Sequence, residues 1–233
     1  MPRSRPAPAD QRLTKQRARS SQDKATRRAQ LLAAAAALLA DTPYEQLTLS
    51  AVARAAGLSK ASAYTYFPTK ESLFLALLTE RLEAWRDRFV ERLSPRSRSP
   101  RAVARAIAHT FAEDPGLREL LARLHSTLEA NVPDDEVRAF KWFTAGLMTG
   151  LAVYVDRACP GLRGGQAQHL FLLVHSFVIG LGMACTQTPN VVRAMALEPA
   201  LAQAFAFDFE TELARVIELV LRGWLAENAR SPS

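Results

Sequence analysis

Cysteine and glycine are both scarce in this 233-residue sequence, and each scarcity excludes a class of protein. The two cysteines, Cys159 and Cys185, have no partners at metal-ligand spacing, so they predict neither a zinc site nor a disulfide framework. The ten glycines form no glycine-rich phosphate loop and no Gly-x-Ser-x-Gly nucleophile elbow. We therefore expect no catalytic residues, no metal and no cofactor, in a protein that is not an enzyme.

Long apolar runs and strand-like alternation are also missing. The most apolar window, residues 170–185, is about 16 residues long and falls short of the roughly 20 residues that span a bilayer. The N-terminus has no apolar core after its positive charges and does not resemble a signal peptide. Ala and Leu are abundant, which together with these absences predicts an all-α cytoplasmic protein with no membrane segment.

Charge is distributed unevenly along the chain. Residues 1–30 contain nine basic and two acidic side chains, so the whole net charge of +7 lies there and the rest of the chain is balanced. A polyanion is the expected partner of this end, and a merely solvated basic tail is the alternative. Residues 1–22, which are rich in Pro, Arg, Ser and Gln, are predicted to form a disordered basic arm.

Capping residues and helix breakers divide the remaining sequence into helices. A first helix is predicted from about Lys24 to Ala40, a second begins at a Thr48 or Ser50 cap, and a third is capped by Ser59. A long helix over residues 70–93 then connects the N-terminal domain, residues 23–69, to a helical domain over residues 94–229. Its predicted helices lie at roughly 101–112, 115–130, 134–158, 165–186 and 208–228, with a shorter piece within 190–204.

The second and third helices, joined by a tight turn at Gly57, predict a helix-turn-helix. The outward-facing residues of the third helix are small or hydroxylic: Ala61, Ser62, Thr65 and Tyr66. Such side chains suit a helix that enters the major groove, and we expect Ser62 and Thr65 to face bases. Tyr64, Tyr66 and Lys70 lie where hydroxyl groups and an ammonium can reach phosphates. An ordinary helical hairpin is the alternative.

Residues 26–78 carry a combination of motifs that resembles the TetR family of bacterial transcriptional regulators. An Arg- and Ala-rich first helix precedes a Thr-capped second helix ending in Ala-Ala-Gly, and LSKASAYTYF and PTKESL follow. The resemblance implies DNA contacts by Lys60, Ser62, Tyr64, Tyr66 and Lys70, and a phosphate contact at Thr48. The predicted DNA-binding surface is therefore Thr48, Ser59, Lys60, Ala61, Ser62, Tyr64, Thr65, Tyr66 and Lys70.

Beyond residue 80 the resemblance is architectural, and it implies a regulatory domain with an effector pocket. The candidate pocket residues are aromatic or imidazole side chains: Trp85, Phe89, His125, Trp142, Phe143 and His175. Few charged residues lie on the inner faces, so the effector is expected to be small and mostly apolar. For each of these residues, a plain core position is the alternative.

The last two long helices, at about 165–186 and 208–228, are predicted to form a homodimer. Their apolar residues recur at three- and four-residue steps: Leu170, Val174, Phe177, Val178 and Leu181, then Phe209, Leu213, Val216, Ile217, Val220, Leu221 and Trp224. Two such helices from each subunit would form a four-helix bundle. Burial of these faces within the monomer is the alternative.

Together these features predict a sequence-specific DNA-binding transcriptional regulator. We expect a repressor that binds a palindromic operator in double-stranded DNA and is released by a small-molecule effector. Two alternatives remain open: a helical interaction protein with a vestigial helix-turn-helix, and a regulator that responds to no effector.

Overall fold

The computed structural model describes residues 9–93, 98–185 and 188–230, with side chains from residue 22 onward except at residue 201. These residues contain eleven α-helices and no β-strand, which confirms the all-α prediction. The helices are α1 (Ala9–Asp41), α2 (Leu49–Ala55), α3 (Lys60–Tyr66), α4 (Lys70–Arg92), α5 (Pro100–Ala112), α6 (Pro115–Arg123), α7 (Asp134–Ala158), α8 (Gln166–Cys185), α9 (Pro189–Ala196), α10 (Pro199–Ala204) and α11 (Phe209–Arg230).

Three short helical turns complete the described chain. A 3₁₀ turn covers Tyr44–Gln46, a π turn covers Leu124–Leu128, and a second 3₁₀ turn covers Glu129–Asn131. The sequence predicted one continuous helix over residues 115–130, but α6 ends at Arg123 and the wider π turn follows it.

The chain forms two compact units that divide within α4. The first unit ends at Leu77 and the second begins at Leu78. This division lies inside the helix that was predicted to connect the two domains. Residues 94–97, which follow α4 in the sequence, lie outside the described residues.

The first helix begins earlier than predicted. α1 starts at Ala9 and runs continuously to Asp41, so residues 9–22 are helical where a disordered arm was expected. Residues 9–22 contain Ala, Gln, Arg, Lys and Leu and no Pro or Gly. Their high helix propensity explains why α1 extends to Ala9. Residues 1–8 of the predicted arm lie outside the described residues.

The first unit packs α1, α2 and α3 around small and aliphatic side chains. Leu31, Leu32 and Ala35 of α1 are buried, as are Val52 and Ala53 of α2. Ala63 holds α3 against this core and is fully buried, as the helix-turn-helix interpretation requires. Gly57 adopts φ +70°, a left-handed conformation that favours glycine at the turn between α2 and α3.

The second unit is built around α5 and α8. α5 is buried over most of its surface and packs against α11, while α8 packs against α6, α7 and α11. By length and apolar composition alone, α8 is the one helix among the described residues that could cross a membrane. Its contacts with three neighbouring helices identify it as a packing element of this unit.

These contacts bury part of each predicted dimer face within the unit. Seven of the residues assigned to a subunit interface are buried within the unit itself: Leu170, Val174, Val178, Phe209, Leu213, Ile217 and Leu221. They are buried because the most apolar stripe of each helix faces its intramolecular neighbours. Phe177, Leu181, Val216, Val220 and Trp224 are only partly covered, and these remain available for contact with another chain.

A buried carboxylate joins α4 to α6. Asp114 accepts the Leu117 backbone N–H at 2.9 Å and so caps α6. The same side chain forms ion pairs with Arg81 and with Arg88 of α4, the latter at 3.3 Å. A Cβ at Gly116 would lie 3.0 Å from the Arg81 guanidinium, so the missing side chain gives this ion pair its room.

Replacing Asp114 should therefore destabilise the protein in two separable steps. Asp114→Asn keeps a cap acceptor but removes the ion pairs, and it should cost about 1–3 kcal/mol of unfolding free energy. Asp114→Ala should cost about 1 kcal/mol more because the cap is lost as well. Ser99→Ala is the matched control, since Ser99 only caps α5. Urea unfolding would contradict this assignment if Asp114→Asn were no more destabilising than Ser99→Ala.

Candidate nucleic-acid interface and ligand cavity

The outer surface of α3 carries most of the predicted DNA-binding residues. Lys60, Ala61, Tyr64 and Thr65 are exposed, and Ser62 and Tyr66 are half-buried. Burial of Ala63 and Phe67 on the opposite side fixes which face of this seven-residue helix is outward. The Lys60 ammonium lies 5.8 Å from the centroid of the Tyr64 ring, so a cation and a phenol hydroxyl share one edge of the helix.

Two hydroxyl groups of this surface cap helices. Thr48 Oγ1 accepts the Ala51 N–H and Ser59 Oγ accepts the Ser62 N–H, each at 3.1 Å. Both residues are exposed, and each hydroxyl proton can still donate to a phosphate oxygen. The caps thus shape α2 and α3 while leaving one donor on each side chain.

Thr65 makes a hydrogen bond within its own helix. Its hydroxyl donates to the Ala61 carbonyl oxygen at 3.1 Å, which commits the hydroxyl proton and leaves lone pairs and the methyl group exposed. In this state Thr65 can accept from the amino group of adenine or cytosine, or contact a thymine methyl.

Lys70 stands at the first turn of α4 and is half-buried. Its ammonium donates to the Tyr44 carbonyl oxygen at 3.2 Å and lies 4.0 Å from the centroid of the Tyr44 ring. An ammonium has three donors, so two remain for an anion. Thr69 caps the same helix by accepting the Ser72 N–H. The Lys70 ammonium therefore lies beside a helix N-terminus, where anions are favoured.

The second unit contains a largely apolar cavity of about 270 Å³. Its apolar lining consists of Leu82, Trp85, Phe111, Leu121, Leu124, Phe140, Leu147, Met148, Leu151, Phe171, Leu172 and Val174. Its polar lining consists of His125, Lys141, Thr144 and His175. The Trp85 indole N–H donates to Thr110 Oγ1 at 3.0 Å, which satisfies the only polar atom of that buried ring.

Three of the six predicted pocket residues line this cavity and three do not. Trp85, His125 and His175 are lining residues. Phe89 is fully buried in the core, where its ring lies 5.9 Å from that of Trp85. Phe143 is half-buried beside Phe140, with 6.2 Å between ring centroids.

Trp142 is the clearest correction, because 75% of its surface is exposed. The cavity face of α7 carries Phe140, Thr144, Leu147 and Leu151 at three- and four-residue steps. Trp142 lies two residues from Phe140 and Thr144, about 200° away around a helix of 3.6 residues per turn. Its aromatic ring suits a ligand pocket, but its phase on the helix directs the side chain away from the cavity.

Two polar residues that sequence reasoning missed organise one end of the cavity. Glu129 lies within ion-pair distance of Lys141, at 2.5 Å, and its other oxygen lies 3.1 Å from His125 Nδ1. His125 Nε2 in turn lies 3.0 Å from His175 Nε2. We call Lys141, Glu129, His125 and His175 the histidine network. The four-residue step from His125 to Glu129 was visible in the sequence, but its pairing with residues 141 and 175 was not.

The π turn presents His125 to its partners. It spans Leu124–Leu128, and a π turn widens the helix by one residue, so the side chains within it leave the phase of α6. Leu124 and Leu128 remain buried while His125 is exposed at the cavity wall.

Burial and charge shift the pKa values of two members of the histidine network. Burial, with smaller contributions from His125 and Lys141, lowers the pKa of His175 below its usual value. Burial by itself would raise the pKa of Glu129, but hydrogen bonds and charge from Lys141 and His125 outweigh it and lower that pKa. At neutral pH the network therefore contains an ionised Glu129 and a neutral His175.

Two family models match successive parts of the chain. Residues 31–77 match the model described as bacterial regulatory proteins of the tetR family, and residues 79–228 match the model of the tetracyclin repressor-like C-terminal domain. No curated protein matches this sequence at a significant level.

Solved structures with the same architecture match this chain over nearly all of their own length. A TetR-family protein from Mesorhizobium loti MAFF303099 matches over 87% of this chain and 96% of its own, with a TM-score of 0.59 and 18% identity. The match to the fatty acid degradation regulator FadR from Bacillus halodurans covers 83% of this chain and 97% of that one, with a TM-score of 0.56 and 16% identity. The match to FadR from Bacillus subtilis in complex with stearoyl-CoA covers 83% of this chain and 97% of that one, with a TM-score of 0.53 and 16% identity. At these identities the likeness shows the fold alone.

The lowered pKa of His175 predicts a loss of stability on mild acidification. The neutral ring is favoured in the folded state, so stability is fully present above the unfolded histidine pKa of about 6.5 and declines below it. Titration of this one group cannot change the unfolding free energy by more than about 1.4 kcal/mol per pH unit. Urea unfolding between pH 7.5 and 5 should show a shallower slope for His175→Gln than for the parent protein. Equal slopes would mean that His175 is not held neutral by its surroundings.

Proposed function

The chain belongs to the TetR family of bacterial transcriptional regulators, and from that membership we propose that it is a repressor released from its operator by a small, mostly apolar effector. It is a DNA-binding regulator, and we assign it to the bacterial cytoplasm, where the chromosome lies. The observation that carries the effector proposal is the apolar cavity of about 270 Å³, two of whose lining residues, Leu82 and Trp85, belong to α4.

The DNA side of the proposal rests on the exposed face of α3 and the residues that flank it. We propose that Thr48, Tyr64, Tyr66 and Lys70 hold phosphates and that Ser62 and Thr65 face base edges. The hydroxyl and ammonium groups of these exposed and half-buried residues supply the donors that phosphate contacts need, and the small side chains of α3 allow close approach to the groove floor. Ser59, Lys60 and Ala61 complete this surface at the N-terminus of the helix.

The effector side rests on the chemistry of the cavity lining. Twelve apolar residues surround it and four polar residues lie among them, which suits an apolar body with few polar groups. FadR from Bacillus subtilis, which shares the architecture, was solved with stearoyl-CoA, a ligand with a long apolar chain. That structure supports the apolar class of effector and leaves the individual compound open.

We propose that the effector acts through α4. This helix begins with Lys70 and carries Leu82 and Trp85 at the cavity. Asp114 ties α4 to the start of α6, and α6 contributes Leu121 to the cavity while the following π turn contributes Leu124. A ligand that separates these lining residues would displace α4, and it must bind the DNA-incompetent form more tightly to shift the equilibrium.

We propose that the regulator is a homodimer that reads a palindromic operator. Half-buried and exposed apolar residues remain on the outer sides of α8 and α11, among them Phe177, Met183, Val216 and Leu219. A four-helix bundle formed by two copies of these helices would cover them. Two-fold symmetry would then present two α3 helices to half-sites one helical turn apart, about 34 Å.

Lys70→Ala and Thr65→Ala should weaken DNA binding in different ways. Loss of a phosphate contact at Lys70 should lower affinity for every sequence alike and reduce the salt slope by about one unit. Thr65→Ala should cost on the order of 1–3 kcal/mol at one or two operator positions and leave the salt slope unchanged. The measurement is selection of bound sites from random DNA, followed by titrations at several salt concentrations.

The control for these variants is Arg138→Ala, an exposed residue of α7 that also removes one positive charge. It should change neither the affinity nor the selected sequence. A sequence-selective loss with Lys70→Ala, or an unchanged site preference with Thr65→Ala, would contradict the corresponding role.

Reciprocal coupling provides the test of the effector proposal. Butylbenzene is a suitable apolar probe of the cavity, and its binding should weaken operator affinity. Saturating operator DNA should then weaken butylbenzene binding by the same factor, because coupling free energies are reciprocal. Leu121→Trp, which fills part of the cavity, is the control and should reduce both effects. Binding of butylbenzene that is indifferent to operator DNA would contradict coupling and favour a regulator that responds to no effector.

A further inference from the structure

Three members of the histidine network, His125, Lys141 and His175, line the cavity. Their hydrogen-bonding groups have no role in the proposed repressor mechanism. Lys141 and Glu129 form an ion pair, so the ammonium is already neutralised by a carboxylate within the protein. His125 and His175 extend the chain of contacts from Glu129, and both line the cavity. The network as a whole is neutral when both imidazoles are neutral.

The contacts fix the tautomer of His125. Its Nδ1 lies 3.1 Å from the Glu129 carboxylate, which can only accept a hydrogen bond when ionised. His125 Nδ1 therefore carries the proton and donates to Glu129. In a neutral ring the other nitrogen then has a lone pair, so His125 Nε2 is an acceptor.

The tautomer of His175 follows from that of His125. The two Nε2 atoms lie 3.0 Å apart, so one must donate and the other must accept. His125 Nε2 is the acceptor, and His175 Nε2 is consequently the protonated donor. His175 Nδ1 is left with a lone pair, and among the described residues none donates to it.

We propose that the effector carries a hydroxyl group that donates to His175 Nδ1, on an apolar body that fills the rest of the cavity. This inference rests on the proposed function, because it assigns a chemical class to the effector of that cavity. The recognised class is the alcohols and phenols. A carboxylate is disfavoured because it would meet the lone pair of His175 Nδ1, and because the charge of Lys141 is already balanced by Glu129.

The cavity volume sets the size of the apolar body. A cavity of about 150 Å³ lined by aliphatic and aromatic side chains accommodates benzene. In proportion, the volume of about 270 Å³ here accommodates on the order of ten non-hydrogen atoms. The aromatic rings of Trp85, Phe111 and Phe171 suit an aromatic body of that size. Butyl-substituted benzenes match both requirements.

The test compares four butyl-substituted benzenes as ligands of the full chain by titration calorimetry. Butylbenzene has no polar group, 4-butylphenol adds a donor, 4-butylanisole has the same oxygen without its proton, and 4-butylbenzoate is an anion. We expect 4-butylphenol to bind about tenfold more tightly than 4-butylanisole, as one hydrogen bond to a polar partner would give. The benzoate should bind more weakly than the phenol.

Two variants assign the preference to the network. His175→Phe removes the acceptor but keeps an aromatic ring, and the phenol and the anisole should then bind alike. Thr144→Val is the matched control, since Thr144 carries another hydroxyl that lines the cavity. It should leave the preference for the phenol unchanged. Loss of the preference in Thr144→Val with its retention in His175→Phe would overturn the proposal.

A spectroscopic measurement tests the tautomer directly. Nitrogen-15 NMR of the free protein should report His175 with Nε2 protonated and Nδ1 unprotonated, and Glu129→Gln should reduce this selectivity. A protonated Nδ1 in the parent protein would overturn the proposal. If butylbenzene and 4-butylanisole bind as well as the phenol, this inference fails while the effector cavity stands. If none of the four binds, the effector cavity of the proposed function fails with it.

Discussion

The second unit depends on a single buried carboxylate. Asp114 ends the turn between α5 and α6, caps α6, and binds two guanidinium groups that project from α4. Without it, two cations would face a helix N-terminus, where the backbone N–H groups already favour negative charge. The same two elements contribute to the cavity lining, Leu82 and Trp85 from α4 and Leu121 from α6, with Leu124 from the π turn that follows. One side chain thus joins two elements that both line the cavity.

Local patterns predicted the N-terminal unit well because its structure is determined by neighbours in sequence. The Thr48 and Ser59 caps, the Gly57 turn and the small Ala53 and Ala63 each act over a few residues. The start of α1 differs from the prediction, because the composition of residues 9–22 suggests disorder while their helix propensity extends the helix to Ala9.

The sequence predicts the helices of the C-terminal unit but not which neighbour each helix face contacts. Helix periodicity identified α8 and α11, but it could not tell whether their apolar stripes meet another chain or their own. The seven buried residues belong to the intramolecular core. The same limit applies to Trp142, whose residue type suggested a pocket while its helical phase exposes it. The pairing of Glu129 with Lys141 and of His125 with His175 joins positions far apart in sequence, and no local pattern encodes such contacts.

The π turn over Leu124–Leu128 makes the polar part of the cavity sensitive to the length of this segment. A π turn contains one residue more than the α-helical turn it replaces, so deleting one residue there would return the segment to regular helix. Each following position up to Pro133 would then rotate by about 100° around the helix axis. Glu129, which follows the turn, would then move relative to His125 and Lys141, while the caps and the core of α6 stayed as they are. A single-residue insertion or deletion at this turn can therefore change which molecules are recognised without changing the surface that binds DNA.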